Sequence, residues 1–181
     1  MCQGCVDSPP LFKSLCSITS YTPRAAGIIQ KLKYRGCSRI ARCLGAQLAI
    51  HVVSTSPHLL VKNPVIVPVP QTFKKTFKRG YNQAALLGKT FSRLTCIPFL
   101  PTGLKRVHEV SSMSGKPAKQ RRRIIDGAFT INTLKGSRWN NIILLDDVAT
   151  TLSTLNECTA SIQGYFDEPR EIWAVTIARS I

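Results

Sequence analysis

Two adjacent carboxylates, Asp146 and Asp147, follow a short apolar run and precede a cluster of hydroxyl side chains. The apolar run, residues 142–145, is typical of a buried parallel strand that ends at the carboxyl edge of a sheet, where open α/β sheets bind ligands. The hydroxyls come where a helix would begin, and hydroxyl and backbone N–H donors at a helix N-terminus suit a phosphate. The combination predicts a ligand with hydroxyl groups and phosphate, bound with a divalent cation; a phosphorylated sugar fits best. The simpler alternative is a buried strand whose acids only stabilise the start of the next helix.

Residues 141–155 resemble the loop that binds phosphoribosyl pyrophosphate (PRPP) in type I phosphoribosyltransferases. In that loop four apolar residues precede Asp-Asp-Val-x-Thr-Thr-Gly-x-Thr, and every position matches here except the glycine, which is Leu152. The resemblance implies an α/β fold with a central, mostly parallel sheet flanked by helices. It also implies that Asp146 and Asp147 are the catalytic acids, in contact with the ribose hydroxyls and the Mg²⁺ shell. The 5′-phosphate would be held by the residues that follow: Ala149, Thr150, Thr151, Leu152, Ser153 and Thr154.

A second motif begins with the apolar stretch that ends in Val67-Pro-Val-Pro70, followed by a basic turn, 74–80. With Arg79-Gly80-Tyr81-Asn82-Gln83 it resembles the ComF family, a branch of the phosphoribosyltransferase fold linked with natural competence. Lys33-Tyr34-Arg35-Gly36 matches the usual leading segment of that family. The resemblance spans nearly the whole chain. It implies that Lys78 and Arg79 lie on the pyrophosphate side of the ligand, and that residues 102–123 form a flexible loop that closes over the site.

Two departures from the family pattern bear on activity. Leu152 replaces a glycine whose missing side chain lets the backbone approach a phosphate and adopt strained dihedral angles, so leucine would block the phosphate cradle or force it open. In the flexible loop, Met113 and Ile124 stand where the family usually has Gln and Asn, while Arg123 and Phe129 are kept. The sequence therefore leaves open whether the protein transfers a phosphoribosyl group, as a glycosyltransferase would, or only binds the phosphosugar.

The chain has 181 residues, of which 25 are basic and 9 acidic, giving a formal net charge of +16. This length suits one domain, predicted as a short head at 1–20, the remnant of a zinc ribbon, and a phosphoribosyltransferase-like domain at 21–181. A large positive charge favours polyanions, although a basic surface without a dedicated partner is the plain alternative. A rival function is therefore a non-enzymatic accessory of DNA uptake that binds single-stranded DNA or a competence helicase. Its phosphate contacts would come from the densest basic positions: Lys74, Lys75, Lys119, Arg121, Arg122 and Arg123.

The seven cysteines are odd in number and scattered, which argues against a secreted disulfide framework and for a reducing cytoplasm. No apolar stretch is long enough to span a bilayer. Cys2 and Cys5 form half of a zinc site, which needs four ligands. The family usually begins with several such pairs, so the chain resembles an amino-terminally shortened member in which Zn²⁺ is not expected to bind. Three further cysteines are predicted to be inert core residues: Cys43, Cys96 and Cys158.

Hydrophobic periodicity and turn residues predict alternating strands and helices, which indicates a parallel α/β sheet. Strands are predicted within 11–21 and at 63–70, 96–100, 128–131, 142–145 and 171–178. Helices are predicted at 23–33, 38–53, 82–94 and 153–163.

Overall fold

The computed structural model describes residues 9–33, 38–107, 128–134 and 139–180. Its centre is a four-stranded sheet made of Leu15–Ser20 (β1), Pro64–Pro68 (β2), Asn141–Ala149 (β5) and Glu171–Arg179 (β6). Every neighbouring pair is parallel, and the spatial order is β1, β6, β5, β2. The predicted α/β class with a central parallel sheet is confirmed. Residues 15–20, the end of the predicted head, lie in this sheet.

Helices connect the strands, as parallel pairing requires. They span Pro23–Lys33 (α1), Ser38–Thr55 (α2), Phe73–Arg79 (α3), Gln83–Thr95 (α4) and Ser153–Gln163 (α5), with a 3₁₀ turn at Pro57–Leu60. The predicted bounds of α1 and α5 are confirmed, and those of α2 and α4 differ by one or two residues. The predicted basic turn at 74–80 is wrong, because residues 73–79 form a helix.

Apolar side chains cover both faces of the sheet, as near-continuous hydrophobic strands require. Along β5, Ile143 and Leu145 join the core formed with α1, α2 and α4. Ile142 and Leu144 join the opposite core, formed with α5 and the segment around Phe129. Each fully buried side chain of this size contributes roughly 1.5–3 kcal/mol. The strand that precedes the acid pair is therefore fixed from both sides.

The edge of the sheet beside β2 differs from the sequence prediction. The predicted strand at 96–100 is only a single parallel bridge between Phe99 and Ile66. Part of the predicted loop at 102–123 is a strand, Leu104–Arg106 (β3), paired antiparallel with Phe129–Ile131 (β4). The rest of that loop, from residue 108 onward, lies outside the described residues.

The cysteines divide into two groups. Cys158 is buried, as predicted, and burial is the main reason that the pKa of its thiol is raised. The core prediction is wrong for Cys43 and Cys96, which are exposed; Cys96 ends α4 in a left-handed conformation with φ 57°. Cys2 and Cys5 lie outside the described residues. Nowhere in the described ranges does a helix have the length and apolar character needed to cross a bilayer.

Candidate functional site

A cleft with a volume of about 170 Å³ opens at the carboxyl ends of β2 and β5. Residues from several separate elements meet in it, as expected at the carboxyl edge of an open α/β sheet. Its charged and hydroxyl-bearing lining includes Lys33, Arg79, Arg106, Asp146, Asp147 and Thr154. Three cations and two acids within one small cleft suit a ligand that carries both anionic and hydroxyl groups.

The two acids are held inside β5, which continues past them to Ala149, four residues beyond the predicted end of the strand. Consecutive strand residues project to opposite faces. Asp147 approaches Lys33 of α1, with 3.5 Å between Nζ and Oδ2, whereas the charge of Asp146 acts on Cys158 of α5. The strand thus offers one carboxylate on each side while both border the same cleft.

Asp146 is electrostatically disfavoured as an anion. Its Oδ1 accepts a hydrogen bond of 2.8 Å from the backbone N–H of Asp147, which favours the charged form. Burial opposes this, and together with the nearby charge of Asp147 it raises the pKa of Asp146 well above the ordinary value. The pair therefore combines an acid that retains its proton more readily with a neighbour held beside a lysine.

Arg106 reaches the cleft from β3. Its guanidinium lies over the ring of Phe129, 5.1 Å from the ring centroid, and its Nε is buried without a hydrogen-bond partner among the described residues. An arginine fixed by an aromatic face still has guanidinium N–H donors to offer an anion. Arg106 was not predicted, because it stands in a stretch that the sequence indicates only as a loop.

The predicted phosphate-binding segment runs from the end of β5 into α5. Ala149 is buried, whereas Thr150, Thr151 and Ser153 are exposed, and the hydroxyls of Thr151 and Ser153 are 2.8 Å apart. Thr154, in the first turn of α5, is the member of this segment that lines the cleft. The first turn of α5 carries no acid, so its N–H groups face no adjacent negative side chain in that turn.

Leu152 has the left-handed backbone conformation that a glycine would adopt easily, with φ 59° and ψ −4°. Its side chain packs at the edge of the core that contains Leu155 and Cys158, and it is not part of the cleft lining. The leucine therefore keeps the turn geometry at a cost in strain, about 1–2 kcal/mol for an L-residue in this region.

No family model matches the chain. Among curated proteins, it is 32% identical to Competence protein F of Haemophilus influenzae over 179 residues, which are 98% of this chain and 78% of the relative. The chain belongs to the ComF family. It is also 28% identical to DNA utilization protein YhgH of Escherichia coli O157:H7, over 86% of this chain and 68% of the relative. With Competence protein ComFC of Bacillus subtilis it shares 24% identity over 77% of this chain and 54% of the relative.

Arg79 of the ComF signature at 79–83 lines the cleft, and the residues that follow it have local structural roles. Gly80 takes φ 79°, where a side chain would be strained. Tyr81 donates to the carbonyl of Leu32, at 2.9 Å. The Asn82 side chain caps α4 by accepting from the N–H of Ala84 at 3.0 Å, and it donates to the carbonyl of Val69 at 3.0 Å.

Arg79 is held at the cleft by two glutamines. Its Nη1 lies 3.4 Å from Oε1 of Gln71 and 3.3 Å from Oε1 of Gln83, and Gln71 also donates to Gln83. Gln83 is fully buried. This arrangement orients Arg79 without neutralising its charge, because neither glutamine is an acid.

The structure describes the remaining predicted site residues only in part. Lys74, Lys75 and Lys78 belong to α3, whose last residue is Arg79. Four predicted basic residues and two departures from the family pattern lie outside the described residues: Lys119, Arg121, Arg122, Arg123, Met113 and Ile124. Two cations of the cleft were not predicted as site residues, Lys33 and Arg106. For Lys33 a signal existed, because it begins the ComF leading segment at 33–36.

Proposed function

We propose that the cleft binds PRPP, or a related phosphosugar, together with Mg²⁺. The observation that carries this proposal is the convergence of Asp146, Asp147 and Thr154 with the cations Arg79 and Arg106 in one cleft. On this proposal the acids accept hydrogen bonds from the ribose hydroxyls, and Thr154 with the N-terminus of α5 holds the 5′-phosphate. The two arginines face the pyrophosphate, and Lys78, also predicted for that side, precedes Arg79 in α3.

The donor set fits a Mg²⁺ that arrives with its ligand. Among the described residues no three acids, histidines or cysteines come together as a metal site, but Mg²⁺ commonly takes one or two carboxylates plus substrate phosphates. Oδ2 of Asp147 is buried without a hydrogen-bond partner in the described part of the chain, which suits a further positive or donor group. Bound there, Mg²⁺ would neutralise pyrophosphate charge.

PRPP in such a cleft would be the donor in a phosphoribosyl transfer, in which an acceptor attacks C1′ and pyrophosphate leaves. The residues of the chain contribute position and charge, which can supply most of the catalysis in a reaction of this class. An assay of pyrophosphate release in the presence of candidate bases separates transfer from binding alone.

Calorimetry with PRPP and MgCl₂ tests the binding proposal. Wild type should bind in the micromolar to millimolar range. Asp147→Asn should abolish binding, because it removes the negative charge of the carboxylate that lines the cleft beside Lys33 of α1. Asp167→Asn, which changes an exposed acid in the turn after α5, is the matched control and should bind as wild type does. No heat from folded wild type at millimolar PRPP would refute the proposal.

We propose DNA uptake as the cellular role, with single-stranded DNA as a second ligand. The names of the relatives, Competence protein F and DNA utilization protein YhgH, support the role. The specific observation is on α3, where the rings of Phe73 and Phe77 are 83% and 80% exposed and stack with centroids 6.1 Å apart. Exposed aromatic rings on a helix that contains Lys74, Lys75, Lys78 and Arg79 are suited to stacking against bases next to phosphate contacts.

Fluorescence anisotropy with labelled oligo-dT tests this second ligand. Affinity should fall steeply between low and physiological salt, and the double variant Phe73→Ala, Phe77→Ala should weaken it by about tenfold or more. Tyr21→Ala, at another exposed aromatic residue, is the control and should change little. A salt-independent affinity, or equal losses in both variants, would count against stacking on α3.

A further inference from the structure

The contact between Lys33 and Asp147 is an ion pair without a proper hydrogen bond. Nζ and Oδ2 are 3.5 Å apart, with side chains 32% and 12% exposed, whereas charge-assisted N–H···O bonds are about 2.7–2.9 Å long. Oδ2 has no hydrogen-bond partner elsewhere in the described residues. The lysine therefore neutralises the buried carboxylate while leaving its acceptor capacity unused.

Lys33 is also the cation of the cleft whose charge is already compensated. The ion pairs within the described residues include Lys33 with Asp147, but neither Arg79 nor Arg106. Arg79 is oriented by two neutral glutamines, and Arg106 lies over an aromatic ring. The two arginines can therefore bind an anion without giving up an ion pair, whereas Lys33 must leave Asp147 to contact an anion.

The position of Lys33 allows such a movement. It is the last residue of α1, and its side chain is partly exposed where it lines the cleft. The preceding turn is held, because Leu32 is buried and its carbonyl accepts from Tyr81. A fixed backbone with a partly exposed, long side chain suits an ammonium group that exchanges between two partners.

We infer that Lys33 is a built-in counter-ion of the acid pair, which competes with a divalent cation for Asp147 and shifts to the pyrophosphate group when the ligand binds. This inference rests on the proposed phosphosugar function. On it, Lys33 sets how strongly the cleft binds the metal ion relative to the diphosphate. An ammonium beside a carboxylate lowers the attraction of that carboxylate for Mg²⁺, and the same ammonium attracts the diphosphate.

The inference predicts opposite effects of one substitution on two simple probes. Lys33→Met should raise the affinity for Mn²⁺ alone, measured by water proton relaxation, by about tenfold, because Asp147 loses its counter-ion. The same variant should weaken binding of sodium pyrophosphate in EDTA, measured by calorimetry, by about tenfold. Lys31→Met, at an exposed position in the last turn of the same helix, should change neither, and Lys33→Arg should retain the wild-type pattern.

The outcomes separate this inference from the proposed function. If both affinities of Lys33→Met move in the same direction, or neither moves, the counter-ion role is overturned even where wild type binds PRPP. If wild type fails to bind PRPP but the crossed effect on Mn²⁺ and pyrophosphate is present, the counter-ion role holds and the proposed ligand is wrong. Near-ultraviolet circular dichroism of each variant confirms that the proteins compared are folded.

Discussion

The hydroxyl of Tyr81 donates a hydrogen bond of 2.9 Å to the main-chain carbonyl of Leu32. This bond joins the ComF signature at 79–83 to the last turn of α1, one residue before Lys33. The signature therefore does more than carry Arg79 to the cleft, because it also fixes the helix end from which Lys33 reaches Asp147. The bond therefore links the signature at 79–83 to Leu32, the residue that directly precedes the other ComF-like segment in the sequence.

Tyr81→Phe should remove this bond while keeping the ring. We expect a loss of about 0.5–1.5 kcal/mol in the free energy of unfolding, measured in urea, because the Leu32 carbonyl at a helix end loses its side-chain partner. Pyrophosphate affinity should fall as well, since the end of α1 is less well held. Tyr165→Phe, at a residue that is 46% exposed, is the control; an equal effect there would contradict this role for Tyr81.

Leu152 allows the backbone strain of the loop to be measured by two substitutions. Both Leu152→Gly and Leu152→Ala remove the same packing against the core, but only glycine relieves the left-handed φ of 59°. In an ordinary helical position alanine would be the more stable by about 1 kcal/mol. Here we expect the reverse: the free energy of unfolding, measured in urea, should be roughly 1 kcal/mol higher for the glycine variant than for the alanine variant.

The same glycine variant bears on phosphate binding. The Leu152 side chain does not line the cleft, but glycine would let the backbone of the segment move closer to a phosphate, so Leu152→Gly should bind inorganic phosphate or PRPP more tightly than wild type, by calorimetry. An unchanged or lower affinity would mean that the leucine does not restrict the phosphate segment. Equal stability of the glycine and alanine variants would mean that the turn is not strained.

Asp146 should make stability depend on pH in a defined direction. Because burial raises the pKa of Asp146 in the folded state, the folded protein binds that proton more tightly than the unfolded chain. Its contribution to stability is therefore fully present below the ordinary aspartate pKa of about 4 and is lost as pH rises through the raised value. Asp146→Asn cannot ionise, so it should be more stable than wild type at neutral pH.

Thermal unfolding from pH 3.5 to 7.5 checks this expectation. The advantage of Asp146→Asn should shrink as pH falls and vanish below about pH 4, where wild-type Asp146 is protonated in both states. Asp167→Asn, at an exposed turn, should show no such trend. A constant difference across the range, or a variant less stable at neutral pH, would contradict the raised pKa.

The parts of the fold that could be predicted are those in which local pattern and tertiary packing agree. The apolar run before Asp146 predicts a buried strand, and the motif 79–83 with Asn82 predicts the start of α4. The cysteines show the limit, because an apolar neighbourhood in sequence does not reveal that Cys43 and Cys96 face outward. The lysine-rich segment 73–79 has only two apolar residues, Phe73 and Phe77, which are too few to indicate its helix from the sequence.

Residues of the cleft could be predicted where they belong to one continuous motif, and not where they come from distant elements. Asp146, Asp147 and Thr154 lie in one motif, so their proximity follows from the chain itself. Arg106 reaches the cleft only because β3 pairs with β4, a three-residue pairing that leaves almost no sequence signal. Lys33 meets Asp147 through the packing of α1 against the sheet, which a single sequence cannot show.

Arg106→Met gives a direct test of the cation that the sequence did not indicate. Methionine can keep the apolar contact over Phe129, since thioether–aromatic contacts are favourable, so the fold should be retained. Binding of sodium pyrophosphate should weaken by about tenfold or more, because hydrogen bonds to charged groups contribute about 1.5–3 kcal/mol. Lys105→Met removes the same charge from an exposed neighbour on β3 and should cost far less. Equal losses in the two variants would show that the net positive charge of the surface, and not the guanidinium in the cleft, attracts the anion.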